Sequence, residues 1–324
     1  MNKPTLAITI GDPAGIGPEI TVKALNHQEI REKAFYKVYG SLSLLQEACT
    51  LCHIPLSLFE SPHIQIVDIP TLSSGDVVKG RVNGDCGKAA YNYIEAAIQD
   101  TMAGKADAVV TAPINKESLK AGKVNFIGHT EIFGALTYTP DPLTLFEVKG
   151  LRVFFLSRHV SLQQACHLVT KERIIDYVQA CTKALQQLGI TEGTMAVAGL
   201  NPHSGEHGLF GTEEVQAIAP AVEELQQQGY AVVGPVSADS VFHLALQGRF
   251  NSVLSLYHDQ GHIATKTYDF ERTISITCGM PILRTSVDHG TAFDIAGKNL
   301  ASEISMMEAI SVAAKYAPYW TKAL

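Results

Sequence analysis

Short apolar runs alternate with helical stretches along nearly the whole chain, and this alternation constrains the fold most strongly. Amphipathic stretches with apolar residues three or four apart separate the apolar runs. Strands that alternate with helices predict an α/β fold, with mostly parallel sheets covered on both faces. The candidate strands are residues 6–10, 35–40, 63–69, 106–113, 151–157, 194–200, 230–234 and 252–257, and the main candidate helices are 85–102, 171–188, 212–228 and 302–316.

Length and composition exclude several classes of protein. A chain of 324 residues, 46% hydrophobic and 18% charged, is typical of a globular protein with two domains. A net charge of −7 does not favour nucleic-acid binding. Because no apolar run approaches the roughly 18 residues of a membrane helix, and the first run is too short for a signal peptide, we expect no membrane association. Six scattered cysteines favour a reducing, cytoplasmic location.

Three candidate strands are each followed by a polar segment that contains a histidine. His159 follows residues 151–157, His203 follows 194–200, and His258 follows 252–257. Parallel strands place their carboxyl ends at one edge of a sheet, so these imidazoles can converge there. Three neutral imidazoles with an open position form a catalytic divalent-metal site, and Zn²⁺ is the first candidate. The chain has 12 histidines, so each could instead be an ordinary surface residue, and the competing candidates are His207, His243 and His262.

Two cations and one predicted helix start point to an anionic substrate. Lys266 lies eight residues beyond His258, and Arg284 lies in the segment PILRTS. In a protein of net negative charge, cations near a crevice favour phosphate or carboxylate binding, although solvated surface charges are the alternative. The segment GHTE at residues 128–131 opens another helix, whose backbone N–H groups could face an anion.

The loop GDPAGIGPE near the N-terminus is a weak candidate for nucleotide binding. It lacks the G-x-G-x-x-G pattern of a dinucleotide-binding fold and the lysine of a phosphate-binding loop. Pro18 suits the first turn of a helix. A tight turn that leads into the first helix is therefore the simpler interpretation.

Several longer motifs resemble a known enzyme family. From about residue 5 to 315 the chain contains, in order, ITIGDPAGIGPEI, TAPINKE, GHTE, NPHSGE, GTEE, YHDQGH and GMPILRTSVDHGTAFDIAG. These motifs resemble the 4-hydroxythreonine-4-phosphate dehydrogenase family, including its 4-phospho-D-threonate dehydrogenase branch. The segment DHGTAFDIAG is also similar to the adenosine-side loop of isopropylmalate and isocitrate dehydrogenases.

The resemblance implies a two-domain α/β/α sandwich of the isopropylmalate-dehydrogenase type. It implies a homodimer in which each active site lies between the domains and is completed by the partner. We expect a discontinuous first domain of residues 1–130 and 265–324, and a second domain of residues 131–264 that makes the dimer contacts.

The resemblance also implies roles for individual residues. Lys266 and Asp259 are candidates for proton handling, as catalytic residues. Ser275 stands where the family pattern has an asparagine, so one hydroxyl replaces an amide at the substrate end. The implied metal ligands are His159, His203 and His258; the implied substrate contacts are His129, Thr130, Lys266, Ser275 and Arg284; and the implied cofactor contacts are His289, Gly290, Thr291 and Asp294.

The implied reaction is oxidation of a 4-phosphorylated 3-hydroxy acid by NAD or NADP, followed by β-decarboxylation. It requires one divalent metal ion, Zn²⁺ or alternatively Mg²⁺ or Co²⁺. We expect 4-phosphooxy-L-threonine, from pyridoxal 5′-phosphate biosynthesis, as the substrate. The alternative is 4-phospho-D-threonate or its erythronate relative in sugar-acid catabolism, which the segments GDPAGIGPEI and YHDQGHI slightly favour.

Two other function classes remain open at this point. A metal-dependent hydrolase could use the same three histidines to activate water. The DHGTAFDIAG segment argues against it, because a hydrolase needs no adenosine pocket. A non-catalytic module that binds sugar phosphates is the third candidate.

Overall fold

The computed structural model describes residues 3–320 and divides into two compact units. One unit contains the described residues up to Pro142 together with those from Ile274 onward, and the other is Leu143–Thr273. The sequence placed these boundaries after residues 130 and 264. In the structure both lie several residues later, because the helices His129–Leu136 and His258–Tyr268 each stay whole within one unit.

The chain before Pro142 consists of alternating strands and helices. Pro18 lies in the first turn of the first long helix, where its missing N–H leaves no hydrogen bond unmade. The elements are β1 (Thr5–Thr9), α1 (Gly17–Asn26), α2 (Gln28–Arg31), β2 (Phe35–Gly40), α3 (Leu42–Leu51), β3 (Ile64–Asp68), α4 (Gly84–Met102), β4 (Ala108–Thr111), α5 (Lys116–Ala121) and α6 (His129–Leu136).

The second unit begins with a strand hairpin and continues in the same alternating manner. Its elements are β5 (Leu143–Val148), β6 (Leu151–Phe155), α7 (Leu162–His167), α8 (Lys171–Gln187), β7 (Met195–Ala198), α9 (Ala219–Gln227), β8 (Val232–Val236), α10 (Ala238–Leu246), β9 (Ser252–Ser255) and α11 (His258–Tyr268). A π-helical turn, Glu214–Ile218, runs directly into α9.

The chain from Ile274 onward adds β10 (Ile274–Cys278), β11 (Leu283–Val287) and α12 (Ile304–Tyr316) to the first unit. The strand order of this unit is β3-β2-β1-β4-β11-β10. All neighbours are parallel except β10 and β11, which form an antiparallel pair. In β1, Leu6, Ala7 and Ile8 are fully buried, as expected for a parallel sheet with both faces covered.

The strand order of the second unit is β5-β6-β9-β7-β8. The pair β5–β6 is antiparallel, and the remaining pairs are parallel. The core next to β5 and β6 contains Phe146, Val148, Val153 and Phe155. Strands β6, β9 and β7 are parallel neighbours, which confirms the prediction that three histidine-bearing strand ends lie at one edge. None of the described helices is both long and apolar enough to cross a membrane.

Candidate active site

His258 is the first residue of α11 and lies directly beyond the carboxyl end of β9. Its Nδ1 lies 2.7 Å from Oδ1 of Asp259, an exposed carboxylate. His159, beyond the end of β6, has its ring centroid 6.0 Å from that of His258. A carboxylate on one ring nitrogen orients an imidazole and leaves the other nitrogen for a ligand, as in many metal-binding histidines.

His262 lies one turn after His258 and is an aromatic packing residue. Its ring centroid lies 4.1 Å from that of His258, 4.4 Å from Phe146 and 4.6 Å from Phe155. Burial, and secondarily the neighbouring His258 and Lys266, lowers the pKa of His262 to about 4. The ring is therefore neutral at pH 7. Lys266 follows one further turn along the same face of α11, with Nζ 5.4 Å from the ring centroid of Phe270.

The third predicted ligand, His203, lies on a loop with unusual backbone geometry. Five successive residues, His203 to His207, have positive φ values between 43° and 76°. Only Gly205 adopts this left-handed conformation readily, and each other residue carries a cost of about 1 to 2 kcal/mol. The side chains of His203 and His207 are exposed.

The histidines test whether the chain suits a divalent metal ion. Within residues 3–320, no group of three or more histidine, cysteine, aspartate or glutamate side chains is arranged to hold one. The donor chemistry of His159 and His258 nevertheless fits, because the rings are close and Asp259 orients one of them. The rings of His159 and His258 thus lie close together, and among the described residues no third histidine, cysteine, aspartate or glutamate completes a ligand set with them.

Gln260 connects the strand ends that carry His258 and His203. Its Oε1 accepts a hydrogen bond from the N–H of Leu256 at 2.7 Å, and its Nε2 donates to the carbonyl of Gly199 at 2.8 Å. The side chain is buried, with 8% exposure. Because both hydrogen bonds are made in the interior, Gln260 fixes the spacing between the ends of β9 and β7.

Arg284 is a buried cation in the first unit. The side chain is 5% exposed, and its guanidinium donates hydrogen bonds to Oγ1 of Thr111 at 3.1 and 3.0 Å and to Oγ1 of Thr277 at 2.9 Å. It lies 5.0 Å from the centroid of the Phe133 ring. Burial lowers the pKa of Arg284 to about 9, so the group stays charged at pH 7. A buried charge whose partners are hydroxyl groups and a ring is the electrostatic signature of an anion site.

Two further predicted contacts, His129 and Ser275, belong to the same unit. His129 opens α6, and its Nε2 is shielded from solvent without a hydrogen-bond partner among the described residues. Burial, together with the charge of Arg284, holds the pKa of His129 well below its usual range, so the ring is neutral. Ser275 is half-buried and precedes Thr277 by two residues on β10, so both point to the same face of the strand. Thr130 is half-buried in the first turn of α6.

The segment after β11 contains the predicted cofactor contacts and rests on the GDPAGIGPE loop. The N–H of Ile16 donates to the carbonyl of Thr291 at 3.1 Å, and a Cβ added at Gly15 would lie 2.8 Å from Thr291 Cβ. The buried carboxylate of Glu19 accepts hydrogen bonds from the N–H groups of Gly297 at 2.6 Å and Asn299 at 3.2 Å. His289 and Gly290 precede Thr291, and Asp294 is exposed. The N-terminal loop therefore supports the 288–299 segment structurally.

The model of the family described as "Pyridoxal phosphate biosynthetic protein PdxA" matches residues 32–313. The chain belongs to the PdxA family. Proteins of this family are dehydrogenases, so the chain is an oxidoreductase, and membership implies in general a nicotinamide cofactor and a divalent metal ion.

Individual relatives of this PdxA-family chain extend over its whole length. A Clostridium botulinum protein named "Putative D-threonate 4-phosphate dehydrogenase" is 57% identical over 331 residues, with 99% of each chain covered. A Fusobacterium nucleatum protein of the same name is 58% identical over 323 residues, with 97% of each covered. Among solved structures, a 4-hydroxythreonine-4-phosphate dehydrogenase from Klebsiella pneumoniae is 36% identical, with a TM-score of 0.88 and coverage of 97% of this chain and 98% of that one.

Sequence reasoning missed three polar residues that organise the site of this PdxA-family chain. Gln260 lies inside the motif YHDQGH, which was interpreted through its histidines. Glu19 lies inside GDPAGIGPE, which was interpreted through its glycines. Glu214, 2% exposed, lies in a stretch predicted simply as helix. A polar side chain at an inward-facing position of a helix was the available signal, because such a group needs a partner in the interior.

Proposed function

We propose that the chain oxidises D-threonate 4-phosphate with NAD or NADP and decarboxylates the resulting β-keto acid. The choice of this substrate rests on sequence identity. Over nearly the full length, the chain is 57–58% identical to relatives named as D-threonate 4-phosphate dehydrogenases, but only 36% identical to the 4-hydroxythreonine-4-phosphate dehydrogenase of known structure. The proposal therefore reverses the order of the two substrates expected from the sequence. The reaction class is the same for both, because the two compounds differ only in the hydroxyl or amino group at C2.

The reaction balances as two steps. In the first, C3 loses a hydride to the nicotinamide and its hydroxyl loses a proton, which yields a 3-keto acid. In the second, the bond between C1 and C2 breaks, the carboxylate leaves as CO₂, and the electron pair passes into an enolate. A proton delivered to C2 then completes a phosphorylated hydroxymethyl ketone.

The buried cation of the first unit suits the anionic ends of this substrate. Arg284 offers a guanidinium whose described partners are hydroxyl groups, and a phosphate or carboxylate would supply the missing counter-charge. Neutral His129, at the start of α6, adds a ring nitrogen without a partner among the described residues. These groups would hold and orient the substrate, which is how binding energy is used to position a reacting carbon. Thr130 and Ser275 are proposed contacts of the same kind.

The histidine group of the second unit suits the reacting oxygen atoms. We assign a divalent ion to His159 and His258, with His203 as the third ligand, and cofactor contacts to His289, Gly290, Thr291 and Asp294. When bound, the nicotinamide accepts the hydride and the metal ion stabilises negative charge on oxygen. Asp259 orients His258, and Lys266, on the same face of α11, is the proposed group for moving protons. The proposal includes a homodimer, which would allow a partner to complete the set of ligands.

Steady-state kinetics with purified protein tests the assignment. NAD(P)H formation is measured at 340 nm with D-threonate 4-phosphate and with 4-phosphooxy-L-threonine, each with NAD or NADP and with Zn²⁺, Mg²⁺ or Co²⁺. We expect the higher kcat/KM for D-threonate 4-phosphate. A higher kcat/KM for 4-phosphooxy-L-threonine would establish the alternative substrate. The overall similarity to the Klebsiella structure supports that alternative. Absence of NAD(P)H with both compounds would contradict the proposal.

A further inference from the structure

Residues 203–207 form a left-handed turn that carries His203, and one buried carboxylate, that of Glu214, holds the chain where this turn begins. The N–H groups of Leu200 and Asn201 both donate to Oε1 of Glu214 at 2.7 Å. The side-chain amide of Asn201 donates to Oε2 of Glu214 at 2.8 Å. Glu214 is 2% exposed and belongs to the π-helical turn Glu214–Ile218. A carboxylate that accepts several N–H groups in the interior forms strong, charge-assisted hydrogen bonds.

The backbone of the turn packs directly on this pair of side chains. A Cβ added at Gly205 would lie 2.8 Å from Oε2 of Glu214, and one added at Gly211 would lie 2.4 Å from Nδ2 of Asn201. The N–H of Ser204 donates to the carbonyl of Asn201 at 3.1 Å, and the N–H of Phe210 donates to the carbonyl of Gly205 at 3.1 Å. Both ends of the turn are therefore tied to the position of Asn201 and Glu214.

A run of left-handed residues persists only where its surroundings determine it. Four of the five residues in this run carry side chains, so their conformation is strained. π-Helical turns occur frequently at functional sites. The strained residues include His203. The backbone hydrogen bonds that hold the preceding residues, Leu200 and Asn201, in place are both accepted by Glu214.

We propose that Glu214 is a positioning residue that holds the left-handed turn and so determines where His203 presents its imidazole. This inference rests on the proposed function, in which His203 is a ligand of the metal ion. Glu214 acts through the backbone of Leu200 and Asn201.

Glu213 provides a matched control. It is half-buried and accepts a hydrogen bond from Nδ2 of Asn201 at 2.7 Å. The backbone N–H groups of Leu200 and Asn201, however, donate to Glu214. Glu213→Gln and Glu214→Gln make the same chemical change in adjacent residues, and the second removes a carboxylate from the buried hydrogen-bond cluster.

The test compares these two variants of the full chain by hydrogen exchange and by zinc binding. In metal-free protein we expect Glu214→Gln to accelerate amide exchange over residues 200–210 by about tenfold or more, because local opening controls exchange. We expect calorimetry with Zn²⁺ alone to show binding weakened by about tenfold, the lower end of the effect of groups that orient ligands. Glu213→Gln should change both quantities by less than about twofold. Asn201→Ala, which keeps the backbone bonds to Glu214, should have an intermediate effect and serves if Glu214→Gln does not fold.

The outcomes separate the inference from the proposed function. Unchanged exchange over residues 200–210 in Glu214→Gln would overturn the inference, whatever the activity of the variant. Equal effects of Glu213→Gln and Glu214→Gln would overturn it as well. Faster exchange in Glu214→Gln, together with wild-type Zn²⁺ affinity in His203→Ala, would support the claim about the turn and contradict the metal role of His203 in the proposed function.

Discussion

Replacing Arg284 by methionine is expected to stabilise the ligand-free protein and to abolish anion binding. In the folded protein, burial lowers the pKa of Arg284 from 12.5 to about 9. A folded-state pKa below the unfolded value means that the unfolded chain holds the proton more tightly. At pH 7, below both values, the folded state carries the whole desolvation cost, and only above about pH 9 is it relieved. The lowering of the pKa from 12.5 to about 9 corresponds to a loss of about 5 kcal/mol in the free energy of unfolding at pH 7.

Part of this gain is offset by contacts that methionine cannot make. The hydroxyl groups of Thr111 and Thr277 would each lose a donor, at about 1 kcal/mol apiece. The contact with the Phe133 ring contributes about 1 kcal/mol more. A net stabilisation of about 2 kcal/mol remains, which corresponds to a rise in Tm of about 5 °C for units of this size.

Thermal unfolding with and without inorganic phosphate measures both effects. Phosphate should raise the Tm of the wild type by more than that of Arg284→Met, since the variant lacks the buried cation. Arg272→Met is the control, because Arg272 is 43% exposed and pairs with Asp269 at 3.2 Å. It should not raise the Tm. A Tm for Arg284→Met below that of the wild type would refute the reasoning.

Three further predictions concern polar side chains that are buried or paired in the structure. Glu19→Gln should raise KM for NAD(P) by about fivefold and leave kcat nearly constant. The reason is that the N–H groups of Gly297 and Asn299 lose the buried carboxylate that positions their segment. An unchanged KM in steady-state assays would contradict this role of Glu19. Gln260→Leu should lower the free energy of unfolding by about 2 kcal/mol in urea titrations, since two buried groups lose their partners, and a loss near zero would show that Gln260 does not join the strands. The pKa of Asp269 is lowered from 3.8 to about 2, chiefly by Lys149. Asp269→Asn should therefore cost about 1 to 2 kcal/mol above pH 5, and the difference should shrink as pH falls from 4 towards 2; a difference independent of pH would contradict the assignment.

The strands that follow the α/β alternation could be predicted from the sequence, and those that depart from it could not. The apolar run at residues 35–40 became β2 with the same bounds. Strands β5, β10 and β11 were not predicted. Strands β10 and β11 pair antiparallel with each other, and β5 pairs antiparallel with β6, which was predicted. In β11, Arg284, Thr285 and Ser286 are buried although they are polar. Hydrophobic pattern does not reveal such a strand, because its side chains face hydrogen-bonding partners in the interior.

The candidate site was predictable to the extent that strand order determines it. Parallel pairing of β6, β9 and β7 follows from the alternation and places three histidines at one edge. Which imidazoles come together depends on the loops. His262 contacts His258 because α11 begins at His258 and places them one turn apart. The left-handed turn at His203 depends on the buried Glu214, a long-range contact that periodicity does not report.

The stoichiometry of the overall reaction tests the central claim most directly. With D-threonate 4-phosphate, a nicotinamide cofactor and a divalent metal ion, CO₂ release and NAD(P)H formation are measured in the same sample. We expect equal amounts of CO₂ and NAD(P)H and no inorganic phosphate. Inorganic phosphate released without NAD(P)H would contradict it and would identify a hydrolase instead.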